Sequence, residues 1–279
     1  MSEQIAVRFD VPPREVRIGL SNEHIARYGD ELYQALMDKK AVAPLTEREA
    51  GIDIEDAYRI QQRMLANRLE KGETVIGKKI GVTSKAVQNM LGVFQPDFGM
   101  LLSGMAYNEG TPVPISTLIA PRAEAEVAFV LKRDLAGPGI TTVDVLRAID
   151  FVLPCFEIVD SRIKDWKIKI QDTVADNASC GVFMLGLQAG DPRKLDLSLA
   201  GMVVEKNGEI VSTSAGASVQ GSPVNAVVWL ANTLGRLGIA LRAGEVILSG
   251  SQSPLFPVNA GDSFHCSVGG LGGCAVHFV

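Results

Sequence analysis

The spacing of apolar and polar residues changes near residue 75. Before it the spacing is helical. From Asp30 the apolar residues Leu32, Leu36 and Met37 make one stripe, and Leu45-Thr46-Glu47 breaks it. Asp53 to Leu69 is the strongest helical segment. Ile54, Ala57, Ile60, Met64 and Leu65 recur near the 3.6-residue period, with Glu55, Arg59, Gln62 and Arg63 between them. Gly72 predicts its end. After residue 75, short β-branched runs alternate with Gly, Pro, Asn and Asp. The runs at 75–82, 124–131, 151–159, 181–187, 201–212, 245–249, 263–268 and 274–278 predict strands. Helices are expected at Val143–Asp150 and Pro223–Leu237. Asn207-Gly208, set between Val203-Val204 and Ile210-Val211, predicts a hairpin. Residues 1–28 are polar and patternless, which predicts a flexible leader. Residues 29–75 read as a small helical N-terminal region and 76–279 as a β-rich body. The fold class expected is α+β, with mostly antiparallel strands.

Composition narrows the function. The chain has 279 residues, 47% of them hydrophobic, which is ample for a large core and excludes a disordered chain. Lys+Arg number 27 against 32 Asp+Glu, so nothing favours a nucleic-acid surface. No apolar run reaches the ~20 residues of a membrane helix, and residues 1–20 hold no secretory block, so a cytoplasmic protein is expected. The four Cys, at 155, 180, 266 and 274, form no CxxC and fit no common zinc spacing. His24, His265 and His277 come without a GxSxG elbow, and there is no P-loop or dinucleotide fingerprint.

Acidic residues inside apolar strands carry the candidate chemistry. Glu124 and Glu126 lie two apart in Pro121-Arg-Ala-Glu-Ala-Glu-Val-Ala-Phe-Val-Leu131 and share one strand face. They are either a solvated face or a pair that needs a cation. Glu157 is the one charge in Phe151-Val-Leu-Pro-Cys-Phe-Glu-Ile-Val159. Burying it costs several kcal/mol unless it is paired, for example with Arg162 or Arg122, or bound to metal. Three carboxylates without His or Cys would form an all-oxygen site suited to Mg²⁺ or Mn²⁺.

Lys78 and Lys79 face opposite ways in Gly77-Lys-Lys-Ile-Gly-Val82. They are two surface lysines on an edge strand, or one points inward. An inward lysine beside a divalent cation would have a lowered pKa suited to acid/base work. Asp97 in Gln95-Pro-Asp-Phe-Gly99 reads as a turn residue. Gln171 to Cys180 reads as a polar loop.

Five segments stand in the order found in the 2-oxopent-4-enoate (2-hydroxypenta-2,4-dienoate) hydratases, which the chain resembles from about Gly29 to Val279. They are Lys79-Ile-Gly-Val-Thr-Ser84, Gln95-Pro-Asp-Phe-Gly99, Pro121-Arg-Ala-Glu-Ala-Glu126, Glu157-Ile-Val-Asp-Ser-Arg162 and Asp172-Thr-Val-Ala-Asp-Asn-Ala-Ser179. The resemblance implies a mixed β-roll like the C-terminal domain of fumarylacetoacetate hydrolase. It implies Glu124, Glu126 and Glu157 as ligands of Mg²⁺ or Mn²⁺, Lys79 and Asp97 as acid/base groups, and Ser161 and Ser251 as substrate contacts. It also implies a homo-oligomer, pentameric or decameric, and association with the pathway decarboxylase.

The implied reaction is hydration of 2-hydroxypenta-2,4-dienoate to 4-hydroxy-2-oxopentanoate in the meta-cleavage degradation of aromatic compounds. Two alternatives share the fold: a 2-oxo-3-hexenedioate (4-oxalocrotonate) decarboxylase and an acylpyruvate C–C hydrolase. The stretch Ile163 to Asp172 looks like the hydratases. The hydrolase should want a His-Glu pair, and no His lies near the acidic motifs.

Overall fold

The computed structural model describes residues 19–279. The leader expected over 1–28 lies outside the described residues as far as residue 18. From Asn22 the chain is already helix α1 (Asn22–Asp38), begun by the Ser21 side chain accepting the His24 N–H. The helix therefore starts ahead of the stripe at Leu32, because Ile25 and Tyr28 are buried on the same face. A short α2 (Leu45–Arg48) follows, and then α3 (Ile54–Leu69), capped by Asp53. Buried Ala57, Ile60, Met64 and Leu65 form the α3 stripe that the pattern predicts. Ile60 and Met64 pack with Ile25 and Leu32 of α1, and Ile163, Val174 and Ala175 of the β-rich body complete the cluster. The helical region thus borrows part of its core from the body.

Among the described residues the remaining chain builds two sheets. The strands are β1 (Val75–Gly81), β2 (Asp97–Leu102), β3 (Ala106–Asn108), β4 (Arg122–Leu131), β5 (Ile149–Val159), β6 (Cys180–Leu185), β7 (Gly201–Lys206), β8 (Glu209–Ala215), β9 (Val246–Leu248), β10 (Phe256–Pro257), β11 (Ser263–Val268) and β12 (Gly272–His277). The larger sheet has the order β2-β1-β9-β4-β5-β6-β3, with β10 added beside β4. The smaller has the order β12-β11-β7-β8. Most pairs are antiparallel; β1 with β9 and β3 with β6 are parallel. The run expected as one strand over 201–212 is two strands folded at Asn207-Gly208. Both residues take positive φ (55° and 84°), the backbone of a two-residue hairpin turn.

Helices α4 (Lys85–Leu91), α5 (Thr142–Ala148), α6 (Ile170–Ala175) and α7 (Pro223–Arg236) fill the connections. Helix α7 starts with Pro at its first position, where no N–H is missed, and buries Val227, Leu230 and Leu234. These pack with Phe129 and Phe156 of the large sheet and Phe264 and Val276 of the small one in the main core. Ala123, Ala125 and Val127 of β4 point into this core, so Glu124 and Glu126 point to the opposite face. No described helix is long and apolar enough to cross a membrane.

The structure corrects the reading of β1. Lys78 and Lys79 do face opposite ways, but both are buried. Lys78 is ion-paired to Glu245, whose other carboxylate oxygen accepts the Arg242 N–H at 2.8 Å. Removing one partner of such a pair strands the other, at a cost of about 3–5 kcal/mol. Lys78→Ala is therefore expected to lower the denaturation midpoint strongly while leaving the turnover of the folded fraction intact. Chemical denaturation beside a rate measurement separates the two effects.

Candidate active site

Strands β4 and β5 pair with Glu124 directly opposite Glu157, and Glu126 opposite Cys155. Like charges facing each other across an antiparallel pair destabilise a sheet. Here one oxygen from each of Glu124, Glu126 and Glu157 lies within 4.8 Å of the others. Glu126 and Glu157 are fully buried and Glu124 is partly so. Glu126 Oε2 accepts the Gly250 N–H at 2.8 Å. Glu126 Oε1 and both Glu157 oxygens have no hydrogen-bond partner among the described residues. Gly250 takes φ +106°, and a Cβ there would sit 2.4 Å from Thr83, so only glycine presents this N–H at this place. Three convergent carboxylates with orphaned oxygens and no soft donor fit a hard divalent cation. The solvated strand face is ruled out by burial. The ion pairs imagined for Glu157 do not form either: Arg162 pairs with Asp176, and the cation beside Glu157 is Lys79, 3.1 Å from Oε1.

Lys79 reaches this face from β1, and its Nζ also donates to the Ala178 carbonyl at 2.9 Å. Burial lowers the Lys79 pKa, but Glu157, Asp97 and Glu124 outweigh it and raise the pKa above the ordinary value. The lowering expected from a nearby cation is thus opposed by the carboxylates themselves, which hold Lys79 as an ammonium. Asp97 is not a turn residue. It opens β2, opposite Gly81, and is buried with Oδ1 free of hydrogen-bond partners among the described residues. Burial raises its pKa, with Lys79 pulling the other way. A Cβ on Gly81 would come within 2.2 Å of Asp97 Oδ1 and 3.4 Å of Lys79 Nζ, so a bare backbone there lets the two groups share one space.

The carbonyl that holds Lys79 sits on an unusual turn. Asn177, Ala178 and Ser179 all take φ between 51° and 54°, a left-handed run that costs roughly 1–2 kcal/mol per residue outside glycine. Tertiary bonds hold it. The Asn177 amide bonds both ways to the Met100 backbone, at 2.8 and 2.9 Å, and Ser179 Oγ meets Thr173 Oγ1 at 3.1 Å. The buried Arg162–Asp176 pair lies directly before the turn. The polar loop expected over 171–180 is therefore helix α6 followed by this rigid turn.

A cavity of about 430 Å³ opens onto these groups. Lys79, Asp97 and Glu124 line it, with Thr83, Arg122, Trp166, Ser251 and Leu255 among the rest of the wall. Ser251 is where a substrate contact is expected. Ser161 is not: it is fully buried outside the cavity wall, and its Oγ is spent on Asp176 (3.4 Å) and on the Ile163 N–H (3.1 Å). The sequence points to Arg122 only as a possible partner of Glu157, and not to Trp166, although Arg122 shares the face of Glu124 and Glu126 by simple alternation.

The electrostatics predict a pH effect. Burial raises the Glu124 carboxyl to about 8, with Glu157 and Asp97 adding to it and Lys79 and Ser251 opposing. An unfolded glutamate loses its proton near about 4.3. The metal-free fold thus holds an extra proton between these values, and its stability falls as pH rises from about 5 to about 8. Cation binding displaces that proton, so affinity rises over the same interval. The gain in Tm on adding Mg²⁺ should be larger at pH 8 than at pH 6. Equal gains would contradict a protonated Glu124.

Comparison with known proteins gives the family and the fold. The family described as fumarylacetoacetate (FAA) hydrolase C-terminal matches residues 78–279. A 2-hydroxypent-2,4-dienoate hydratase of Pseudomonas putida is 66% identical over 77% of this chain and 98% of its own length. A 2-hydroxyhexa-2,4-dienoate hydratase of Comamonas testosteroni is 56% identical over 92% of this chain and 98% of its own. Among solved structures, the 4-oxalocrotonate decarboxylase of Pseudomonas putida G7, complexed with magnesium and adipate, superposes with a TM-score of 0.91 at 34% identity. That match covers 94% of this chain and all of the other.

Proposed function

The chain belongs to the fumarylacetoacetate hydrolase C-terminal family, and from that premise we propose how its own side chains perform the reaction of its hydratase relatives. It is a hydro-lyase, a metal-dependent hydratase. It adds water to 2-hydroxypenta-2,4-dienoate to give 4-hydroxy-2-oxopentanoate in the meta-cleavage breakdown of aromatic compounds. Mg²⁺ or Mn²⁺ is its cofactor. The observation that carries this reading is the carboxylate trio, with unpartnered oxygens on buried Glu126 and Glu157, whose third member Glu124 lines one cavity with Lys79 and Asp97.

In this proposal Glu124, Glu126 and Glu157 hold the divalent ion. When bound, it supplies positive charge where the 2-oxygen of the substrate becomes an enolate. Asp97, made more basic by burial, takes the proton of the 2-hydroxyl. Lys79, held as an ammonium, gives its proton to C5. Carbon 4 is then electrophilic through conjugation with the 2-oxo group. The neutral Lys79 takes a proton from water as the water adds at C4, and Asp97 returns its proton to C3. Both groups end as they began, and the sum is one water added. Ser251, on the cavity wall, is the proposed hydroxyl contact to substrate.

The decarboxylase alternative shares the fold at lower identity than the hydratases. The hydrolase would want an imidazole, and none of His24, His265 and His277 lines the cavity. The test is to add the dienoate with Mg²⁺ and follow its ultraviolet absorbance. Loss of absorbance with no CO₂ and no cleaved acid is the expected result. Release of CO₂ would make the chain a decarboxylase.

The proposal extends to assembly and location. The chain forms a homo-oligomer, a pentamer or decamer, and associates with the pathway decarboxylase. Phe94, Leu187 and Leu199 are 92%, 85% and 75% exposed, apolar surface that an interface would cover. Light scattering should give a multiple of 29.8 kDa, and a monomer at micromolar concentration would contradict it. The free, buried cysteines suit a cytoplasmic setting.

A further inference from the structure

Arg122 is the cation of the cavity wall that no hydrogen bond or ion pair engages among the described residues. It opens β4, two residues before Glu124, and alternation puts it on the same face as Glu124 and Glu126. It is half-buried and lines the cavity. Its guanidinium donors are unspent among the described residues, although Glu124 and Glu126 stand on the same strand face. Its neighbour is the Trp166 ring, with the guanidinium carbon 4.5 Å from the ring centroid. Trp166 is itself fixed, because its Nε1 donates to the Ala120 carbonyl at 2.9 Å. The ring therefore holds a planar fork of donors in place without satisfying any of them.

The charges give the same answer. Glu124, Glu126, Glu157 and Asp97, taken as ionised, contribute four negative charges. Lys79 and a divalent ion offset three. Arg122 brings the cavity to neutrality before a substrate enters, so an anion is not repelled. Besides Lys79, Arg122 is the one cation in the cavity lining, whose other donors are neutral hydroxyls and backbone groups.

We propose that Arg122, clamped on Trp166, receives the C1 carboxylate of the substrate and makes the site selective for 2-oxo and 2-hydroxy acids over their neutral esters. The assignment rests on the hydratase reading of this cavity. Guanidinium and carboxylate meet as a bidentate, charge-assisted pair, the strongest class of neutral-pH hydrogen bond for this ligand.

The test compares the Mg²⁺-loaded wild type with Arg122→Gln and Arg122→Lys, titrated calorimetrically with 2-oxopentanoate and with its methyl ester. Arg122→Gln should weaken the acid by about 10- to 100-fold and change the ester by less than about threefold. With the dienoate, KM should rise by the same factor as the acid Kd, and kcat should stay within about threefold. Arg122→Lys should recover part of the acid affinity, since it restores charge without the fork. If acid and ester weaken together, Arg122 merely shapes the wall and the inference is overturned. Unchanged acid affinity overturns it too. If the wild type neither binds 2-oxopentanoate nor hydrates the dienoate, the hydratase reading itself fails and takes the inference with it.

Discussion

Glu126→Gln should lower turnover by roughly 10²–10³ at fixed Mg²⁺ and abolish the rise in Tm that Mg²⁺ gives the wild type. The metal-free variant should be at least as stable as the wild type. Burial holds the Glu126 pKa far above the usual carboxylate range, and Glu157 and Glu124 push it further. A neutral amide removes that repulsion, and its oxygen can still accept the Gly250 N–H that Oε2 accepts at 2.8 Å. An ordinary structural carboxylate would behave the opposite way, with stability lost and cation response kept. Thermal melts with and without Mg²⁺, beside a rate assay, distinguish the two. Full activity in excess EDTA would remove the metal from the account.

Lys79→Ala should reduce kcat by roughly 10²–10⁴, the usual contribution of one general acid/base. Its Nζ lies 3.1 Å from Glu157 Oε1, where it competes with a cation for the same oxygen. Mg²⁺ should therefore bind the variant at least as tightly as the wild type, while the metal-free variant melts lower because the buried carboxylates lose their counter-charge. Added Mg²⁺ should restore the melt without restoring turnover. Lys78→Ala gives the contrasting pattern, with Tm low whether or not Mg²⁺ is present and kcat kept. An active Lys79→Ala would end its acid/base role.

Much of this site is legible in the sequence because strand alternation is local. Glu124 and Glu126 two apart, with Ala123, Ala125 and Val127 between and beside them, specify one polar and one core face without any partner. Glu157 stands out for the same reason, as a charge in an apolar run. What sequence reasoning misses depends on distant partners. Lys78 reads as surface because its counter-charge, Glu245, is 167 residues away. Asp97 follows a proline and precedes glycine, which locally favours a turn. Its pairing with Gly81 in β1 overrides that preference. The left-handed run Asn177–Ser179 has no glycine to announce it and exists only because Met100, Thr173 and Lys79 hold it. The clamp of Trp166 on Arg122 joins residues that no period relates, whereas the hairpin at Asn207-Gly208 carries its own geometry in two residues.

The central claim is that Glu124, Glu126 and Glu157 hold the divalent ion on which turnover depends. Crystals of the wild type and of Glu126→Gln grown with Mn²⁺, with anomalous scattering recorded from each, test it directly. One strong manganese peak bounded by oxygens of these three side chains is expected in the wild type, lost or much weakened in the variant. A peak elsewhere, or an enzyme fully active with Mn²⁺ and no peak between β4 and β5, would contradict it.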